Sequence, residues 1–76
     1  MVIFGQRSFT TVRGSDVDRD GMYLELSEVG GEQGIAEVFF SDSTGVFTLN
    51  TFGKDVPLEA VKWLAAQARL SLPPDC

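Results

Sequence analysis

From Gly21 to Glu28 the chain alternates with a period of two. Met22, Leu24 and Leu26 fall on one side, and Tyr23, Glu25 and Ser27 on the other. That is the pattern of a half-buried strand. A glycine-rich turn follows, Val29-Gly30-Gly31-Glu32-Gln33-Gly34. Ile35 to Ser41 reads as a second strand, with Ala36, Val38 and Phe40 opposed to Ile35, Glu37 and Phe39. Asp42-Ser43-Thr44-Gly45 is a turn, with Asp at its first position and Gly at its fourth, as a type I turn favours. Val46 to Phe52 is a third strand, with Phe47, Leu49 and Thr51 on one face. Short turns between such strands imply an antiparallel meander. Ahead of it, Ser8 to Arg13 has the β-branched and aromatic content of a first strand. Ile3 and Phe4 extend that strand through Gly5, with a bulge there.

The period then changes. Asp55 is placed to cap a helix N-terminus, and Pro57 falls in the first turn, where its missing N–H costs nothing. Glu59 lies near the positive end of the helix dipole and Arg69 near the negative end. Pro73-Pro74 stops the helix. At 100° per residue, Leu58, Val61, Leu64, Ala65, Ala68 and Leu72 form a stripe about 120° wide, the expected core face. The expected fold is α+β: a four-stranded antiparallel meander with one C-terminal helix on one sheet face, ββββα, in two layers. Residues 1–76 make one domain.

A single helix covers one face of a sheet. If Met22, Leu24, Leu26, Ala36, Val38, Phe40, Phe47 and Leu49 meet the helix, then Tyr23, Ile35, Phe39 and Val46 face outward. Inverting Ile35 to Phe40 exposes Ala36, Val38 and Phe40 instead, so an aromatic stays outside either way. Trp63 and Leu70, seven residues apart, lie about 120° from the helix stripe. Trp63 suits either the edge of a core or an interface. These six residues, Tyr23, Ile35, Phe39, Val46, Trp63 and Leu70, are the candidate interface, because open apolar faces mark contact sites.

Length and composition sharpen that expectation. A chain of 76 residues buries only about 60% of its unfolded surface and gains much from association. Its one cysteine, Cys76, is the last residue and cannot form an internal disulfide. With 43% hydrophobic residues and six Phe, the chain is a folding one. No apolar run approaches a membrane span. The start, Met1-Val2-Ile3-Phe4-Gly5-Gln6-Arg7, lacks the basic and long apolar regions of a signal peptide. A cytoplasmic protein of bacterial type is the simplest expectation. Net charge is −5, and the six basic residues are scattered singly. Nucleic-acid binding needs clustered cations and is not expected.

The segment Asp16-Val17-Asp18-Arg19-Asp20-Gly21 resembles the first half of an EF-hand calcium loop. Asp16, Asp18 and Asp20 match its ligand positions one, three and five, and Gly21 matches its turn glycine. The match then fails: position nine is Leu24, and position twelve, the bidentate glutamate, is Ser27. Along a strand Ser27 lies roughly 20 Å beyond Gly21 and cannot close on an ion. The Asp-Gly run also reads as a turn, with Arg13 and Arg19 offsetting its carboxylates.

The chain has no histidine, which removes the commonest general base and every Ser-His or Cys-His pairing. Glu25 and Glu37 are expected as neighbours on adjacent strands, without a pocket for acid–base work. Gly30, Gly31 and Gly34 lie between strands and lack phosphate-loop spacing. The expectation is a small non-enzymatic protein-interaction module, dimeric, binding a protein partner or itself, with no cofactor. An antitoxin, immunity or adaptor-like role suits such a chain. The alternative is a ligand- or ion-binding domain, taking calcium weakly at Asp16, Asp18 and Asp20 or a small apolar molecule between sheet and helix.

Overall fold

The computed structural model describes residues 1–72. Five strands precede one helix: β1 (Val2–Phe4), β2 (Arg7–Asp16), β3 (Gly21–Glu28), β4 (Ala36–Ser41), β5 (Phe47–Asn50) and α1 (Leu58–Ser71). The strands form one antiparallel sheet in sequence order, β1-β2-β3-β4-β5. The α+β class and the helix on the sheet agree with the sequence expectation; the strand count does not, being five where four were expected. The extra strand comes from Gly5. It takes φ +62°, and Phe4 pairs with Arg7 across a two-residue loop. A positive φ at the first central position is what a type II′ turn needs, and glycine supplies it. The chain therefore reverses at Gly5 instead of running on with a bulge.

Register sets the faces. Thr11, Leu26 and Ala36 lie in one cross-strand row, and Arg13, Leu24, Val38 and Leu49 in the next. The core lies between this face and α1, which packs across β3 and β4. It holds Phe9, Leu24, Leu26, Ile35, Ala36, Val38, Ala60, Leu64, Ala68 and Leu72. Phe9, Leu26, Leu64 and Leu72 are fully buried, each stabilising the fold by about 1.5–3 kcal/mol. Phe4 tilts against Phe9 with ring centroids 6.4 Å apart. Phe40 and Phe47 do the same at 4.9 Å. Arg69, from the last turn of α1, lies over Phe47 with its guanidinium carbon 5.1 Å from the ring centre.

Three local departures matter. Ile35 is buried in the core, not placed outward with Phe39. Its N–H donates to Leu26 O at 2.8 Å, while Ala36 is already opposite Leu26. Two residues against one is the arrangement of a β-bulge, and it turns both side chains inward. The third expected strand is shorter than Val46–Phe52. Asn50 Oδ1 accepts the Phe52 N–H at 2.8 Å, and Phe52 takes φ +56°; the Asx turn ends β5. The helix begins after Pro57, with no side-chain cap, so Asp55 does not cap it. Its buried residues are Ala60, Leu64 and Ala68, whereas Leu58 is exposed. The core face is thus turned by roughly 60° from the expected stripe. Two alanines let the backbone approach the sheet, and the turn brings Trp63 against the core edge.

Candidate functional site

On the face away from α1, Gly14, Tyr23, Phe39 and Thr48 form one cross-strand row. Both aromatics lie down on glycines. A Cβ on Gly14 would collide with the Tyr23 hydroxyl and ring, and one on Gly21 would meet the Phe39 ring at 2.5 Å. Aromatic cover of a neighbouring strand glycine buries ring area that would otherwise face water.

Arg19 closes the cover. Its guanidinium carbon lies 4.2 Å from the centre of the Phe39 ring. Nε donates to Asp16 Oδ2 at 2.5 Å. The two terminal nitrogens donate to Glu37 Oε1 and Oε2 at 2.9 and 3.0 Å. Asp16 positions Arg19 from below: its Oδ1 accepts the N–H groups of Asp18 and Arg19 at 3.1 and 3.2 Å. The Arg19 side-chain bond, then the backbone bond, holds the Asp16 carboxyl below its usual range. Arg19 itself is raised further, first by Glu37 and then by Asp16. Glu37, although buried, thus has a bidentate cation. Glu25 stands directly opposite Glu37.

The aspartates of the loop do not converge. Asp16 serves Arg19, and Asp20 takes φ +54° to complete the turn. Among the described residues no group of three His, Cys, Asp or Glu side chains is placed to hold a metal ion. No pocket opens between sheet and helix among the described residues.

The six candidate interface residues do not form one surface. Ile35 is in the core, Phe39 is buried under Arg19, and Tyr23 is half-buried over Gly14. Val46 is half exposed ahead of β5, and Leu70 is 82% exposed on the outer side of α1. Trp63 packs against the core edge.

What the sequence pattern misses is an edge. β1 pairs with β2 only from Arg7 to Phe9, and β2 continues to Asp16. The Val29 N–H donates to Ser8 O at 2.8 Å. Backbone groups alternate in direction along a strand. Ser8, Thr10, Val12, Gly14 and Asp16 therefore turn theirs toward β3, and Thr11, Arg13 and Ser15 turn theirs away. Among the described residues nothing pairs with those three N–H and three C=O groups. These groups become visible only once β1 and β3 are both set in register against β2.

No protein-family model, no curated protein and no solved structure matches this chain. Among the described residues no helix is long and apolar enough to cross a membrane.

Proposed function

We propose that the protein is a small non-enzymatic interaction module, binding a protein strand along the open edge of β2. The observation that carries this reading is the row of unpaired backbone groups at Thr11, Arg13 and Ser15. Strands with free edges are ordinarily shortened, bulged or heavily charged. The stretch Thr11–Ser15 runs in unbroken register beside β3 and carries one charged residue, Arg13. An added strand gains main-chain hydrogen bonds there without disturbing the fold. The sheet face is a poorer candidate, because its aromatics already cover Gly14 and Gly21.

Proline separates the edge from the side chain. Arg13→Pro removes the outward N–H and leaves the β2–β3 bonds, which run through its neighbours. Arg13→Ala removes the charge and keeps the N–H. A protein or second copy retained by wild type and Arg13→Ala, and lost with Arg13→Pro, is the expected result. A partner held equally by the proline variant would overturn the reading.

A further inference from the structure

Resting on that reading, we infer that the strand added to β2 is β2 of a second copy, antiparallel, with the two-fold axis at Gly14. Thr11, Arg13 and Ser15 carry the outward groups, so an isologous pairing must match these residues among themselves. Three registers do so, centred on Val12, Arg13 or Gly14.

Two of them meet obstacles. Centring on Val12 sets Ser15 beside the partner's Phe9, whose edge β1 already fills through the Val2 pairing. Centring on Arg13 places the two arginines directly opposite, a like-charge pair that opposes association. Centring on Gly14 avoids both. Arg13 then faces the partner's Ser15, and Val12 faces the partner's Asp16. Val17, 89% exposed in the loop, comes alongside the partner's Thr11. β1 and the incoming strand occupy successive stretches of one edge.

Tyr23 points to the same register from the other face. Its ring crosses Gly14, with the hydroxyl above the glycine and hydrogen-bonded to no described group. In the Gly14-centred pair the two hydroxyls lie over adjacent glycines at the axis, close enough to bond each other. A side chain on Gly14 would block that approach, and none is present.

The test is isotope-filtered NMR on a mixture of labelled and unlabelled wild-type chains, with light scattering on the same samples. The seam is short, so about 1 mM protein is used. The expected result is a mass that rises toward a dimer with concentration, and an intermolecular contact between the two Gly14 α-protons. These approach closely in a non-hydrogen-bonded pair. A dimer with Val12–Val12 contacts, or contacts on another surface, would overturn this register. A monomer at that concentration would overturn self-pairing while leaving strand addition to a different protein, which the proline comparison decides.

Discussion

Arg19→Ala is expected to destabilise the fold by about 2–3 kcal/mol, more than an exposed ion pair would. Exposed pairs contribute about 0.2–1 kcal/mol, and breaking a fully buried one costs about 3–5 kcal/mol. This pair stands between: the Arg19 side chain is 45% exposed and that of Glu37 only 10%. Removing Arg19 strands the Glu37 carboxylate beside Glu25, directly opposite on β3. It also uncovers Phe39, whose ring it stacks on, a contact worth about 0.5–1 kcal/mol where exposed. Arg19→Met separates the two effects, because it keeps an apolar cover on the ring. Urea unfolding at pH 7 should place Met between wild type and Ala, at about 2 kcal/mol of loss. In the Glu37→Gln background Arg19→Ala should cost clearly less, since no charge is left behind. A loss below about 0.5 kcal/mol for Arg19→Ala, the size of an ordinary surface substitution, would refute the reasoning.

Three further outcomes are expected. Gly21→Ala should cost more than Gly14→Ala in thermal melts: its Cβ would strike the Phe40 carbonyl as well as the Phe39 ring, whereas Gly14 meets only the far end of Tyr23. Equal losses would contradict that geometry. Leu64→Ala should lose about 2–5 kcal/mol, while Leu70→Ala, on an 82% exposed side chain, should stay within about 0.5 kcal/mol. Stability should hold at neutral pH and fall in acid. Asp16 and Glu28 are both lowered from ordinary values of 3.8 and 4.5 by Arg19 and Arg7. The unfolded chain therefore takes up protons first, and the stabilisation is lost as pH drops through and below that range. Arg19→Met should flatten the Asp16 part of this profile, and an unchanged acid slope in unfolding titrations would contradict the assignment.

The strands were legible because alternation at Gly21–Glu28 and Ile35–Ser41 is a local signal that one buried face enforces. The helix was legible for the same reason, but its rotation was not. Leu58 and Ala65 fit the wheel as well as Ala60 does, and only the close approach of Ala60 and Ala68 to the sheet decides between them. Gly5 was ambiguous because a bulge and a two-residue turn both want glycine. Ile35 went inward through a bulge that depends on Leu26, nine residues away. The Arg19 clamp had a partial signal, a lone arginine inside an aspartate run. Its second partner, Glu37, becomes visible only when β4 is set in register against β3. The unpaired backbone groups of β2 followed from none of these patterns, since they show only when β1 and β3 are set in register against it. The run that imitates half a calcium loop is, in the fold, the turn that carries Arg19 over the sheet.

The most direct measurement is amide hydrogen exchange at Thr11, Arg13 and Ser15 in the wild-type protein, dilute and at about 1 mM. Unprotected exchange is expected at all three when dilute. At high concentration Arg13 and Ser15 should slow, with Val12 and Gly14 protected in both samples by their bonds to β3. Equally rapid exchange of Arg13 and Ser15 at both concentrations would contradict self-pairing through this edge.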